Sequence, residues 1–230
     1  MLTKIKQDDV LYEDNDILIL NKPAGLATQT KKVGEKDLYS LAMNYVAEAN
    51  RANNIKKAPY IAIINRLDQP VEGIVLMAKN SMMAGKLSES LRDDKIEKYY
   101  KATIFYNNKE NNKLTDKGRL EDYIISNPSD NTSKICDSSE KQAKCAILEY
   151  EITGRDEKTA KCDIHLITGR HHQIRVQFAN AGCPLVGDYK YGSEESIAYS
   201  TSINCKNVML QAYRIEFVHP QTHQKINIRL

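Results

Sequence analysis

The sequence lacks several features that would assign it to common classes of protein. It has no tryptophan, and no apolar run approaches the roughly 20 residues that cross a bilayer. GxSxG, P-loop and GxGxxG motifs are absent, so hydrolase-elbow, nucleotide-phosphate and dinucleotide functions have no support. The five cysteines include no C-x2-C pair, and no signal peptide opens the chain. We therefore expect a cytoplasmic protein with reduced thiols and no membrane association.

Length and charge permit several functions. The 230 residues carry 33 Lys and Arg against 30 Asp and Glu, a formal net charge of +3. This small excess permits nucleic-acid binding without requiring it, because the location of charge matters more than its sum. Successive strand patterns with helices between them favour the α+β class, with a mixed, mainly antiparallel central sheet flanked by helices and loops. No linker or repeat interrupts the pattern, so we expect a single domain over residues 1–230.

Local patterns predict the main elements. Asp37 is a candidate N-cap for an amphipathic helix over residues 37–51, and Asn80 for a second helix. The segment TGRHHQIRVQFANAG predicts a turn, a helix and a stop at Gly182. The polar stretch 107–139 is interpreted as long hairpin connections on the surface. Strand patterns occur at 10–20, 97–106, 144–152 and 161–167, and again at Tyr213, Ile215 and Phe217.

The segment IAIINRLDQPVEGIVLMAK, residues 61–79, is the most informative part of the chain. Two apolar runs of strand length flank a polar turn that contains Arg66, Asp68, Pro70 and Gly73. Two buried strands would hold the carboxylate and the guanidinium of this turn in fixed positions, as rigid elements often do for catalytic groups. Asp, Pro and Gly are also ordinary turn residues, so the segment alone leaves a structural explanation open.

A second candidate site is a stretch without acidic residues. Between Ile164 and Gly187 there is no Asp or Glu, while Arg170 and Arg175 bracket His171 and His172. A basic turn and helix start suit phosphate binding, although a solvated helix face would show the same composition. The two histidines are also candidate acid–base groups. Adjacent residues on a helix point in different directions, so we expect at most one of them to face a given site.

Two further residue pairs are candidate sites. Cys162 and His165 have a C-x2-H spacing, but strand alternation places them on opposite faces, so we expect no metal site. Tyr99 and Tyr100 also alternate on a predicted strand. One of them can therefore pack in the core while the other faces a cleft, although simple packing of both explains the pattern too.

Five blocks, in order, resemble the RluA-type pseudouridine synthases. YEDNDILILNKPAGL is similar to the family's opening strand and Lys-Pro-x-Gly loop, and NRLDQPVEGIVLMAK to its catalytic block. KYYKATI resembles the lysine–tyrosine strand, LITGRHHQIRVQFANAGCPLVGDYKYG the arginine-bearing helix, and LQAYRIEFVHP the closing strand. The resemblance covers nearly the whole chain and implies the pseudouridine synthase fold.

The resemblance also implies roles for individual residues. Asp68 is expected to be the catalytic carboxylate, acting on the ribose as nucleophile or base, and Arg175 its ion-pair partner. Tyr100 is expected to stack on the uracil, and Arg66 to fill the space that the flipped base leaves. The reaction requires no metal and no redox cofactor, and we expect a monomer that acts on structured ribosomal or transfer RNA. The residues expected to contact this RNA are Arg66, Asn65, Lys22, Arg170 and His172.

Departures from the family pattern bear on substrate choice. Asn65 stands where the family usually has His, and Val71-Glu72-Gly73 replaces a Thr-Ser-Gly stretch. The chain begins close to the catalytic block, so we expect no N-terminal S4-type domain. Two other functions remain open from the residues: a non-catalytic RNA-binding protein on the same scaffold, and a glycosidase-like enzyme that pairs Asp68 with Glu72.

Overall fold

The computed structural model describes residues 2–32, 34–106 and 114–230. The chain folds as two compact units. Unit 1 comprises residues 1–96 and 212–230, and unit 2 comprises residues 97–211. The chain is α+β, as predicted from the sequence, with a mixed, mainly antiparallel sheet and four α-helices among the described residues. The single-domain organisation over 1–230 stays a prediction.

The elements of unit 1 are β1 (Val10–Glu13), β2 (Ile17–Lys22), α1 (Leu38–Ala52), β3 (Ala62–Ile63), β4 (Glu72–Ala78), α2 (Ser81–Arg92), β10 (Leu210–Val218) and β11 (Lys225–Arg229), with the unit boundary inside β10 after Gln211. Strand β2 pairs antiparallel with β1 and β4, β3 pairs with the end of β4, and β10 lies beside β4 and pairs with β11. The side chains of β2 and β4 are almost all buried, so both faces of these two strands are covered. This explains why their sequences are apolar runs rather than alternating patterns.

Both predicted helix starts in unit 1 are confirmed. The Asp37 carboxylate accepts the backbone N–H of Ser40 at 2.7 Å, and α1 begins at the next residue. Likewise the Asn80 side chain accepts the N–H of Met83 at 2.9 Å at the start of α2. Buried apolar residues of α2 then join the core of β2, β4, β10 and β11.

The elements of unit 2 are β5 (Glu97–Phe105), β6 (Lys117–Asn127), β7 (Thr132–Cys136), β8 (Lys144–Arg155), β9 (Thr159–Leu166), α3 (Gln173–Asn180) and α4 (Glu194–Ser202). Its strands pair antiparallel in the order β5, β9, β8, β6, β7. Helix α3 ends before Gly182, which has a φ of +81°, so the predicted stop is confirmed. The sequence patterns did not indicate α4, whose N-cap is Ser193.

The interpretation of residues 107–139 as surface connections is wrong for two parts of that stretch. Residues 117–127 and 132–136 form β6 and β7, paired from Tyr123 with Cys136 to Asn127 with Thr132. Most side chains of β6 are exposed or half-buried, so neither apolar alternation nor an apolar run marked the strand. Cross-strand pairing to β8 holds it instead. The predicted connection over 107–113 lies outside the described residues.

No α-helix in the described ranges is long and apolar enough to cross a membrane.

Candidate active site

The turn that carries Asp68, residues 66–70, is held by the loop of residues 23–28. The hydroxyl of Thr28 donates to the Leu67 carbonyl at 2.7 Å and accepts the Leu67 N–H at 3.2 Å. Gly25 and Gln69 are joined twice, because the Gly25 N–H donates to the Gln69 carbonyl and the Gln69 amide donates back to the Gly25 carbonyl. The Asp68 side chain is half-buried. A turn tied from both sides can present this carboxylate in a fixed position.

Lys22 lies at the end of β2 and is completely buried. Its ammonium donates to the carbonyls of Pro23 at 3.1 Å, Leu26 at 2.7 Å and Gln69 at 3.2 Å. The group is therefore bonded to both the 23–28 loop and the residue that follows Asp68. A direct RNA contact by Lys22 stays a prediction.

The electrostatics of Lys22 connect it to Asp68. Burial lowers the pKa of Lys22 from 10.5 to about 8, because the charged amine loses its hydration, while the negative charges of Asp68 and Glu72 act in the opposite direction. Asp68 and Glu72 therefore lie close enough to Lys22 for their charges to act on its buried ammonium.

Asn65 and Arg66 differ in their surroundings. Asn65 is buried, and its amide donates to the Ile74 carbonyl at 3.1 Å and accepts the Leu76 N–H at 2.7 Å. These bonds extend the pairing of the β3 segment with β4 and position the chain just before the Asp68 turn. Arg66 is exposed. RNA contacts by both residues stay predictions.

In unit 2 the two tyrosines of β5 face opposite sides of the sheet. Tyr99 stacks on His165, with ring centroids 4.7 Å apart and planes inclined by 15°. Tyr100 is buried, with 6% of its surface exposed.

Cys162 and His165 of β9 face opposite sides of the sheet, as the strand alternation indicates. Cys162 is buried, while the His165 side chain bonds to Glu97. Within the described ranges, no cluster of three or more His, Cys, Asp or Glu side chains could hold a metal ion.

Arg175 forms a buried bidentate ion pair with Asp188. Its Nε lies 2.7 Å from Oδ2, and its Nη2 lies 2.8 Å from Oδ1. Asp188 Oδ1 also accepts the backbone N–H groups of Lys190 and Tyr191, both at 3.1 Å. The Tyr191 ring lies 5.0 Å from Arg175 Cζ, in cation–π range. Asp188 therefore fixes one edge of the guanidinium.

The histidines before α3 do not follow helical geometry, so the expectation that they point apart is wrong. His172 has a φ of +55°, and its ring stacks on that of His171 with centroids 3.7 Å apart. His172 Nδ1 lies 2.6 Å from the Tyr191 hydroxyl, and His171 Nδ1 lies 2.8 Å from the Ser133 hydroxyl of β7. Because both residues precede Gln173, the left-handed turn overrides the helical spacing.

Arg170 is tied to the neighbouring strand. Its Nε donates to the Cys145 carbonyl at 2.8 Å, while its backbone N–H donates to the Gln173 side chain at 2.9 Å. The acid-free stretch is therefore a rigidly held turn and helix start. Phosphate contacts by Arg170 and His172 stay predictions.

The predicted site residues fall into two groups. Unit 1 carries Lys22, Asn65, Arg66 and Asp68, and unit 2 carries Tyr100, Arg170, His172 and Arg175. The Asp68–Arg175 pair stays a prediction. The sequence reasoning missed Thr28, Asp188 and Tyr191. The GDYKYG segment, residues 187–192, was the available signal for Asp188 and Tyr191.

Comparison with solved structures defines the class of fold. The structure matches that of human RNA pseudouridylate synthase domain containing 4 with a TM-score of 0.75 and 18% sequence identity, covering 97% of this chain and 88% of that one. At this identity the match shows the fold, a pseudouridine synthase fold. The family described as RNA pseudouridylate synthase matches residues 16–180, and the chain belongs to this family.

Two curated relatives differ in the RNA that their names give. The ribosomal large subunit pseudouridine synthase C of Rickettsia felis is 32% identical over 200 residues, covering 86% of this chain and 60% of that protein. The tRNA pseudouridine synthase C of Haemophilus ducreyi is 30% identical over 234 residues, covering 96% of this chain and 89% of that protein. The chain thus spans less than two thirds of the length of the Rickettsia protein.

Proposed function

We propose that this protein is an RNA pseudouridine synthase that isomerises uridines in structured ribosomal or transfer RNA, with Asp68 as its catalytic carboxylate. One observation carries the assignment of Asp68. A half-buried carboxylate stands on a turn that is bonded from both sides and lies beside a buried ammonium. Family membership and the two relatives' names support the reaction and the RNA class.

The reaction needs a carboxylate rather than a metal or a redox cofactor. The N1–C1′ bond of uridine breaks, the uracil rotates, and a C5–C1′ bond forms. The proton lost from C5 is balanced by the proton gained at N1, so the product is an isomer of the substrate. Asp68 acts as an anion in both available routes, as a nucleophile or as a base toward the ribose.

The remaining residues are proposed to prepare the base and the carboxylate. The target uridine must leave its stack at a cost of a few kcal/mol, and Arg66 is exposed beside Asp68 to occupy the vacated space. Arg175 is proposed as a cation for Asp68, and Tyr100 as the ring on which the uracil stacks. Arg170 and His172 are proposed to hold phosphates, which gives affinity without reading sequence.

The first prediction tests Asp68 directly. Asp68→Asn keeps the shape of the side chain but removes the anion, so we expect a folded protein that binds RNA and forms no pseudouridine. Binding should persist because phosphate contacts dominate affinity for RNA. The measurement is nearest-neighbour analysis of pseudouridine in transcripts of ribosomal and transfer RNA, with filter binding in parallel.

Asp94→Asn is the matched control. Asp94 is exposed after α2 and has a φ of +52°, a conformation that Asn adopts readily. This variant should retain activity. Substantial pseudouridine from Asp68→Asn would contradict the catalytic assignment. Release of uracil by the unmodified protein would instead indicate a glycosidase-like reaction.

A further inference from the structure

The three hydrogen bonds of Lys22 match the three N–H groups of a charged amine. An ammonium has three donors and no acceptor, and Lys22 directs its bonds to the carbonyls of Pro23, Leu26 and Gln69. A neutral amine has two N–H groups and a lone pair. If Lys22 lost its proton, one of these carbonyls would lose its donor and face the lone pair.

The partners of Lys22 lie on the two segments that hold Asp68. Pro23 and Leu26 belong to the 23–28 loop, and Gln69 directly follows Asp68 in the turn. The Gln69 carbonyl also accepts the Gly25 N–H at 2.8 Å, so loop and turn meet at this oxygen. The charged amine thus links loop and turn immediately beside the proposed catalytic carboxylate.

The charges that face Lys22 are those of Asp68 in the turn and Glu72 in β4. The 23–28 loop, PAGLAT, has no titratable side chain. Burial outweighs both carboxylates and lowers the pKa of Lys22 to about 8, close to the range in which enzymes work. An apolar side chain would fill the same space without the cost of burying a charge, so the charge indicates a function.

We propose that protonated Lys22 is a positioning residue for Asp68 and that loss of its proton releases the Asp68 turn, so that Lys22 sets the alkaline limit of activity. The inference rests on the proposed function, because it needs Asp68 as the catalytic group. Lys22 is completely buried, so the inference needs no contact between this residue and the RNA. A direct RNA contact by Lys22 would instead lower the RNA affinity of a Lys22 variant.

The kinetic test is the pH dependence of single-turnover pseudouridine formation. The unmodified protein should lose activity as the pH rises through about 8. Lys22→Met should lower the rate at pH 7 by on the order of 10²-fold, since a small displacement of a catalytic group has this effect, and should leave RNA affinity unchanged. The decline centred on pH 8 should be absent from this variant.

Lys79→Met is the matched control. Lys79 follows β4, and its amine is bonded to Glu13 and to the Asp14 carbonyl. Like Lys22 it is a lysine with polar partners in unit 1, but its bonds do not reach the Asp68 turn. This variant should keep both the rate and the alkaline decline. Lys22→Met protein that keeps both features would overturn the inference.

A second measurement does not depend on activity or on the folding of a Lys22 variant. In protein labelled with ¹³C at aspartate Cγ, the Asp68 signal can be assigned by its loss in Asp68→Asn. We expect a step in its chemical shift near pH 8, as Lys22 loses its proton. A signal without this step would overturn the inference. If pseudouridine formation fails while the step is present, the proposed function is at fault and the coupling of Lys22 to Asp68 stands.

Discussion

Asp188 positions Arg175 through an ion pair in which both side chains are buried. The exposed fractions of the two side chains are 6% and 0%, so water screens the pair weakly. Asp188 is itself fixed by the N–H groups of Lys190 and Tyr191. A guanidinium held along one edge keeps a defined direction for its other donors, which is what a group that orients a second carboxylate requires.

We predict that Asp188→Asn is both less stable and less active. Removal of the charge leaves Arg175 buried without its counter-ion, which costs on the order of 3 kcal/mol in the free energy of unfolding. The single-turnover rate should fall while RNA affinity changes little, because the RNA surface is unaltered. Urea unfolding and single-turnover assays provide the two measurements.

Glu151→Gln is the control for Asp188→Asn. Glu151 pairs with Lys117 on the surface, where side-chain exposures of 51% and 72% make the pair nearly neutral in energy. Both its stability and its activity should match the unmodified protein. Equal behaviour of the two variants would contradict the positioning role of Asp188.

Tyr100→Phe separates stacking from proton transfer. Phe keeps the aromatic face, so RNA affinity should be retained. We predict a rate loss on the order of 10²-fold if the hydroxyl assists removal of the C5 proton, the range that general-acid–base groups contribute. Tyr99→Phe is the comparison on the opposite face of β5, and its rate should be unchanged. Full activity of Tyr100→Phe would limit the ring to packing and stacking.

At the residue scale, motifs in the sequence indicated the candidate site residues, but they did not indicate the hydrogen-bond and ion-pair partners of those residues. Asp68 and Arg175 came from motifs. The sequence did not indicate that Asp188 is the partner of Arg175. The two residues are 13 positions apart, and their pairing depends on how the segment after α3 folds back. An RNA contact by Asn65 stays a prediction, and the sequence did not indicate that the Asn65 amide also completes hydrogen bonds to β4. The presence of Asn65 where the family usually has His does not by itself indicate these hydrogen bonds.

At the element scale, Gly73 allows β4 and β10 to approach each other closely. Gly73 has a φ of +119°, and a Cβ there would collide with the backbone carbonyl of Ala212. A side chain would therefore meet two obstacles, an unfavourable backbone conformation and a rigid neighbour. The position is one residue after Glu72 at the start of β4, where the strand leaves the Asp68 turn.

We predict that Gly73→Ala destabilises unit 1 by more than about 1 kcal/mol, the lower bound for a strained φ alone. Gly85→Ala is a control for which we expect the opposite effect on stability. Gly85 lies inside α2, and a Cβ at this position would have open space within 4 Å, so Ala should stabilise the helix by roughly 0.5–1 kcal/mol. Thermal unfolding of both variants measures the difference. A neutral Gly73→Ala would contradict the close approach.

Elements were predictable where a cap or a buried run specified them. Asp37 and Asn80 satisfy backbone donors locally, so the sequence alone locates the starts of α1 and α2. Strands β6 and β7 depend on pairing with partners far along the chain, and their polar side chains resemble those of a loop. Such strands carry no local signal because pairing, rather than burial, stabilises them.

At the scale of the whole molecule, a polar network joins the two segments of the chain that form unit 1, residues 1–96 and 212–230. Asp14 accepts hydrogen bonds from the Tyr12 hydroxyl at 2.7 Å and from the backbone of Ile17 at 2.7 Å. His219 Nε2 lies 3.1 Å from the Asp14 carboxylate, while its Nδ1 accepts the backbone N–H groups of Gln221 and Thr222. The turn after β1 is thereby fixed to the segment after β10.

This network predicts that the free energy of unfolding depends on pH in the acidic range. Burial raises the pKa of Asp14, but the hydrogen bonds from Tyr12, Asp16 and Ile17 and the charge of His219 outweigh it, so the pKa falls below its ordinary value of 3.8. A carboxyl with a lowered folded pKa stabilises the protein fully above its unfolded pKa, and this contribution is lost as the pH falls through the folded pKa. We predict that Asp14→Asn is less stable than the unmodified protein at pH 6, with a difference that shrinks below about pH 3.8.

Chemical denaturation at a series of pH values measures this difference. Asp94→Asn, exposed on the surface, serves again as the control and should show a constant offset. A stability difference for Asp14→Asn that did not change between pH 6 and pH 3 would contradict the linkage.

The discontinuity of unit 1 has a consequence for biosynthesis. Its core includes Ile215, Phe217 and Ile226 together with residues of the first 96 positions, whereas unit 2 is one uninterrupted segment. A ribosome therefore releases every residue of unit 2 before it has supplied the last strands of unit 1. During that interval the nascent β4 lacks the neighbour β10, and an apolar strand with an open edge is prone to pair with other chains. The core beneath the turn that carries Asp68 is therefore complete only after residues 212–230 have been translated.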